Sequence, residues 1–239
     1  MLNPIGRGLI ALGLLVGLYG GAAAAAEKVD LLLVLAADVS RSIDTEKYEL
    51  QRKGYAAAMA DPQVLRAIGS GATGRIAVAF VEWAGATSQR LVVDFTLVGN
   101  ASQATAFGAK VASAPRSFTD RTAIGSAIDF STDLLVRAPF EAERRIIDIS
   151  GDGTSNGGRD IHTARDDALA RGVTAINGIV ILSDMNGPEY LIQHTHPPGG
   201  LAAYYRANVI GGLNAFVSVA EGFDTFGRSL VQKLLQEIS

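Results

Sequence analysis

The apolar run Leu31 to Ala37 ends in Asp38-Val39-Ser40-Arg41-Ser42, and this junction restricts the fold more than any other segment of the chain. A short unbroken apolar stretch reads as a strand buried on both faces, which belongs in a parallel sheet covered by helices. Asp38 to Ser42 then lies at the carboxyl end of that strand, the edge at which open α/β sheets bind ligands. One carboxylate and two hydroxyls on a single turn are oxygen donors suited to magnesium, manganese or calcium. The thiolates and imidazoles preferred by zinc and copper are missing from it. Taken alone, the same turn also fits an ordinary strand-to-helix cap, with Asp or Ser accepting from free helix N–H groups.

The beginning of the chain reads differently from the rest. Arg7, the apolar Leu9 to Leu18 and the small residues Ala22 to Ala26 follow one another as a secretory signal peptide does, with cleavage expected after Ala26. Removing 26 of the 239 residues leaves 213, a length that suits one domain, residues 27–239. That chain carries 20 Lys and Arg against 24 Asp and Glu, so its net charge is −4 and it has no basic stripe for nucleic acid. No later stretch is long and apolar enough to span a bilayer, and the expected location is periplasmic or secreted. There is no cysteine, which removes disulfides, thiolate metal sites and a cysteine nucleophile. Stability must come from an aliphatic core.

Strands and helices alternate along the mature chain. A helix is expected over Thr45 to Met59, a loop around Gly69 to Gly74, strands over Arg75 to Trp83 and Gln89 to Leu97, and a helix over Ala101 to Ala112. There follow a helix from Thr122 to Arg137, a strand from Arg144 to Ile149, a helix from Gly158 to Ala170 and a strand from Val173 to Leu182. A strand over Ala215 to Glu221 and a helix over Phe223 to Ile238 close the chain. This order predicts an α/β fold: a single doubly wound, mostly parallel sheet with one antiparallel edge strand and helices on both faces, Rossmann-like. Residues 183–212 interrupt it. Rich in Gly, Pro and polar residues, they form an insertion with a short helix expected over Leu201 to Asn208.

The Asp-x-Ser-x-Ser spacing resembles the signature of the von Willebrand factor A domain, and two later segments are similar to the rest of that family's metal-ion-dependent adhesion site. Arg121-Thr122-Ala123-Ile124-Gly125-Ser126-Ala127-Ile128 resembles its Thr-x-x-Gly-x-Ala-Leu segment. Ile146-Ile147-Asp148-Ile149-Ser150-Gly151-Asp152-Gly153 resembles its apolar strand ending in Asp-Gly. The likeness spans Val29 to Ile238, and the insertion adds a similarity to bacterial exported A-like proteins of unknown function. It implies a von Willebrand factor A-like fold with metal donors Asp38, Ser40, Ser42, Thr122 and Asp152, and Mg2+, or Mn2+ or Ca2+, as the ion. It also implies a binding module, not an enzyme, whose partner is another protein offering an acidic residue. Two departures stand out. Arg41 occupies a place where the family often has Gly, and Gly151 one where Thr is common.

Other readings of the same residues remain open. A metal-dependent hydrolase using this site needs a general base, for which Asp148, Asp44 and Glu82 are the candidates. A third reading keeps the fold and makes the metal site vestigial. His194 and His196 read as part of a polar loop, since two imidazoles without a third ligand rarely form a metal site. His162 reads as a surface residue. Tyr190, Tyr204, Tyr205 and Arg206 fit either an interface or the packing of the insertion onto the domain. The expected strand end before residue 183 places the insertion beside Asp38 and Asp152. Export is checked by N-terminal sequencing of the soluble protein, which should begin at or near Glu27; an intact Met1 would refute it.

Overall fold

The computed structural model describes residue 1, residues 26–183 and residues 188–239. The expected signal peptide therefore lies outside the described residues except at its two ends, as do residues 184–187 of the insertion. In chain order the elements are β1 (Glu27–Lys28), β2 (Leu32–Asp38), α1 (Thr45–Met59), α2 (Pro62–Gly69), β3 (Ile76–Trp83), β4 (Gln89–Val98), α3 (Ala101–Ser113), α4 (Ile124–Arg137) and β5 (Phe140–Glu141). They continue with β6 (Arg145–Gly151), α5 (Ile161–Ala170), β7 (Ala175–Ile181), α6 (Glu189–Thr195), α7 (Leu201–Asn208), β8 (Gly211–Gly212), β9 (Val217–Ala220) and α8 (Phe226–Ile238). None of the described helices is long and apolar enough to cross a membrane.

β2 lies at the centre because it is apolar on both sides. Its strand period of two sends Leu33, Leu35 and Ala37 to one layer, with Tyr55 of α1, Phe107 of α3 and Phe226 of α8, and Leu32, Val34 and Ala36 to the other, with Ile124 and Ile128 of α4 and Tyr205 of α7. All seven residues of β2 are buried. Its neighbours are β3 and β6, both parallel to it, in a seven-stranded sheet of order β4-β3-β2-β6-β7. Tyr55 fastens the first layer: its ring meets Phe80 and Phe226 edge-on at 4.8 and 5.1 Å, and its hydroxyl donates to Ser150 Oγ at 2.8 Å.

The expected single antiparallel strand is incomplete as a description. β4 does pair antiparallel with β3, but β8 also pairs antiparallel with β7, through Ala175 with Gly212 and Ile176 with Gly211. The chain returning from α7 meets the start of β7, turns at Gly212 (φ 92°) and Asn214 (φ 56°), and then runs as β9 parallel to the end of the same strand. One edge of β7 is thus shared by two short strands. Helix α2 falls just before the loop expected around Gly69, and its start is marked by Asp61, which accepts from Gln63 N at 2.7 Å, followed by Pro62 at the first turn. Helices α4 and α5 begin later than expected, at Ile124 and Ile161, which leaves Thr122 and Gly158 in loops.

The sheet also buries charge. Arg52 of α1 pairs with Glu82 of β3 and donates to Val111 O at 2.5 Å. On the same side Lys233 of α8 sits 2.8 Å from Asp148 Oδ1 and also pairs with Glu237, with all three side chains withdrawn from solvent. One ammonium thus faces two carboxylates. Burial pushes the Asp148 carboxyl up to about 7, the Lys233 charge opposes that rise and Glu237 adds to it. In an unfolded chain an aspartate titrates near ~3.9. The unfolded state therefore releases this proton first, so the Asp148 contribution to stability is full below about pH 4, is lost as pH rises to about 7 and is level above that. Replacing Asp148 by Asn should flatten the pH dependence of the unfolding free energy across that window, as measured by urea denaturation. An unchanged slope would place the proton on another group.

Candidate functional site

The parallel pairing of β2 with β6 sets Ala37 opposite Ser150. The next residue of β2, Asp38, therefore emerges beside Gly151, and Asp152 follows immediately after β6 ends. The turn after β2 is fixed from within: Ser40 N donates to Asp38 Oδ1 at 2.7 Å, an Asx-type bond that bends the chain toward α1. Ser40 Oγ then lies 3.2 Å from Ser42 Oγ, and Ser42 Oγ donates to Asp152 Oδ1 at 2.5 Å. Four of the five expected donors are thus joined in one chain of contacts. The fifth, Thr122, stands in the loop before α4, where its N–H donates to Asn156 Oδ1 at 2.9 Å and its carbonyl accepts from Asn156 N at 2.8 Å. Its hydroxyl meets neither carboxylate; it lies 3.3 Å from His194 Nε2.

Asp38, Ser40, Thr122 and Asp152 are buried. Among the described residues, Asp38 Oδ2 and Asp152 Oδ2 are buried without any hydrogen-bond partner. Burial, with the Asp152 charge added to it, raises the Asp38 carboxyl well above the usual range, and burial likewise raises Asp152. Two buried, unpaired acceptors, one of them raised by the other's charge, are an arrangement that a divalent cation would relieve. The chemistry of the donors agrees: two carboxylates balance a 2+ charge and hydroxyls complete an oxygen set. Among the described residues no three His, Asp or Glu side chains gather into a metal group of their own, so such a site would depend on the hydroxyls.

Arg41 is exposed, so its charge is directed away from the buried donors. A cation not singled out in the sequence does stand near them. Arg116 donates through Nη2 to Val39 O at 2.7 Å and Ser40 O at 2.9 Å, and it bonds the backbone of the turn, not the carboxylates. The candidate hydrolytic bases are engaged elsewhere. Asp44 caps α1 by accepting from Lys47 N at 2.9 Å, Glu82 is held by Arg52, and Asp148 by Lys233.

The insertion lies over the site. Helix α7 falls where expected, and α6 stands where a polar loop is expected. Its residue His194 is not a loop imidazole: Nδ1 lies 3.2 Å from Thr154 Oγ1, and its carbonyl accepts from Thr154 N at 3.0 Å. Burial lowers its pKa, which favours the neutral ring. Tyr204 OH accepts from Ser155 N at 3.1 Å, and Tyr205 is fully buried. Tyr204 and Tyr205 thus pack the insertion onto the domain, while Tyr190 is exposed. The two glycines flanking Asp152 make room for this layer. A Cβ on Gly151 would stand 2.5 Å from Tyr205 OH and 3.1 Å from Asp38 Oδ2, and one on Gly153 would collide with the His194 ring. The sequence signal for this layer is the pair of glycines themselves.

Comparison with solved structures defines the class: the fold is that of a von Willebrand factor A domain. A von Willebrand factor type A protein from Catenulispora acidiphila superimposes with a TM-score of 0.54 at 14% identity, over 88% of this chain and 43% of its own. The pilus adhesin SpaC from Lactobacillus rhamnosus GG gives 0.58 at 12%, over 88% and 31%. Proximal thread matrix protein 1 from the mussel byssus, with a zinc-occupied MIDAS motif, gives 0.52 at 14%, over 88% and 48%. The chain spans less than half the length of each of these. No curated protein matches it in sequence. The family described as "Protein of unknown function (DUF1194)" matches residues 28–239, and the chain belongs to that family.

The contact between Gly151 and Tyr205 gives a test of this packing. Gly151→Ala should destabilise the protein by about 1–3 kcal/mol, since the added methyl overlaps a hydroxyl in a filled site. Tyr205→Phe removes that hydroxyl, which has no partner among the described residues. It should recover part of the loss in the double variant, a coupling readable by thermal denaturation. Strict additivity would show that the two side chains do not share this space.

Proposed function

We infer that this chain is an exported binding module that engages an acidic residue of another protein through a divalent ion. Asp38, Ser40, Ser42, Thr122 and Asp152 would hold the ion, the hydroxyls as neutral ligands and the carboxylates directly or through water. When bound, the ion supplies a positive charge on which a partner's carboxylate can close. The chain's own residues do the remaining work. The Ser40 N–H fixes the Asp38 side chain, Asn156 fixes the Thr122 backbone, and Arg116 holds the carbonyls of the turn. The observation that carries this reading is the pair of buried, unpartnered oxygens, Asp38 Oδ2 and Asp152 Oδ2. The commitment of Asp44, Glu82 and Asp148 to structural bonds also favours binding over hydrolysis.

Calorimetric titration of the mature protein with magnesium and manganese is the direct test. Asp38→Ala should abolish ion binding and leave the fold intact, because it removes an anionic donor at the end of a strand. Ser40→Ala and Thr122→Ala should weaken binding less. The wild type should also gain thermal stability with added ion, by RT ln(1 + [L]/Kd), and Asp38→Ala should not. Equal affinity in Asp38→Ala and wild type would place the ion elsewhere. No binding by the wild type would make the site vestigial.

A further inference from the structure

The cations around the candidate site are of two kinds. Arg116 and Lys47 spend side-chain donors on the carbonyls of Val39, Ser40 and Ser42. Arg41 and Arg121 are exposed, and among the described residues neither guanidinium enters an ion pair. The chain places both beside the expected donors: Arg41 stands between Ser40 and Ser42, and Arg121 directly precedes Thr122. Arg41 N donates to Asp120 O at 3.0 Å, so the two loops are tied and the two arginines leave neighbouring points of one lip. Arg121 runs toward the loop that follows Asp152, since a Cβ on Gly157 would lie 3.9 Å from its Cδ. The acid between them is already engaged. Asp120 accepts from Arg121 N at 2.7 Å and from Ser88 Oγ at 3.0 Å, and these bonds, with the charges of Arg41 and Arg121 added, lower its carboxyl. Both positive charges are thus felt at one point of the lip.

We propose that Arg41 and Arg121 form an anion clamp at the lip of the candidate site, and that the partner it selects is a protein segment with two acidic residues close together, one for the ion and one for the clamp. This rests on the reading that an ion held by Asp38 and its neighbours takes the first carboxylate. A guanidinium offers a carboxylate two parallel N–H donors, and these two arginines have no ion pair to give up in doing so. The chain as a whole carries a net charge of −3 and repels an acidic segment. A local cationic lip reverses that repulsion where the partner docks and sets its orientation. Exposed pairs are individually weak, so the clamp discriminates among acidic partners more than it holds them.

The test is fluorescence anisotropy at low ionic strength with labelled Gly-Ser peptides that carry one glutamate or two glutamates one residue apart, each in Mg2+ and in EDTA. In Mg2+ the wild type should bind the two-glutamate peptide about fivefold or more tightly than the one-glutamate peptide, and added NaCl should remove most of that gap. Arg41→Gln and Arg121→Gln should each narrow the gap and the double variant should close it. Arg66→Gln, at an exposed arginine of α2, should match the wild type. Asp38→Ala should lose the effect of Mg2+ and keep the preference for two glutamates. A gap unchanged in the double variant, or a wild type that does not distinguish the peptides, would overturn the clamp. So would tighter binding of a sulfated disaccharide than of the two-glutamate peptide, which would assign the lip to a carbohydrate anion. Binding that depends on both arginines but is equal in Mg2+ and EDTA would leave the clamp standing and overturn the ion reading, and Mg2+-dependent binding indifferent to the arginines would do the reverse. No binding of either peptide by the wild type would overturn both.

Discussion

The pairing of β2 with β6 is the constraint on which the site depends. Because the strands are parallel and Ala37 stands opposite Ser150, two chain segments more than a hundred residues apart end at one level and deliver Asp38 and Asp152 to one place. A slip of one residue would turn every side chain of β2 to the opposite layer, which its complete burial forbids. The register that fills the core is therefore also the register that brings the carboxylates together. The position of β2 inside the sheet adds to this. It has β3 on one side and β6 on the other, so the chain order reverses at β2, the position at which open α/β sheets bind ligands.

What was legible in the sequence follows from the same pattern. β2, β3 and β6 are short apolar runs that end at polar turns, and α1 is bounded as expected because Asp44 offers a cap and Met59 is its last apolar position. The grouping of Asp38, Ser40, Ser42 and Asp152 was legible through the family resemblance, which ties the turn after β2 to the Asp-Gly that follows β6. The misses have physical causes. α2 is a two-turn helix whose start rests on Asp61-Pro62, a local signal overshadowed by the glycines that follow it. β8 holds two glycines and has no pattern of its own; it is a strand only because β7 offers an open edge. His194 lies near Thr122 and Thr154 through tertiary packing of α6, and a sequence spacing of 72 or 40 residues carries no sign of that.

One departure from the family pattern has its physical reason in the insertion. Where the family often carries Thr, a glycine at 151 admits the Tyr205 hydroxyl, and a glycine at 153 admits His194. Arg41 is exposed, so its charge does not enter the cluster. Gly151 leaves room at the strand end that Tyr205 of α7 takes, and Gly153, which keeps to the family pattern, leaves room for His194 of α6. The site is thereby more enclosed than a bare strand edge, and its donors are held by backbone contacts from three loops.

The treatment of buried charge elsewhere in the molecule bears on what this enclosure is for. Glu82 has Arg52, and Asp148 and Glu237 share Lys233, so each of those carboxylates meets a cation of the chain's own making. Among the described residues, Asp38 and Asp152 form no such ion pair. The nearest cations spend their donors on backbone, Arg116 on Val39 O and Ser40 O, and Lys47 on Ser42 O at 3.2 Å. A fold that pairs its buried acids in two places has the means to pair them in a third, and burying two unpaired carboxylates together costs several kcal/mol that packing alone does not return. The pair is costly as it stands, and a divalent cation bound there, as proposed above, would turn that cost into a gain in stability.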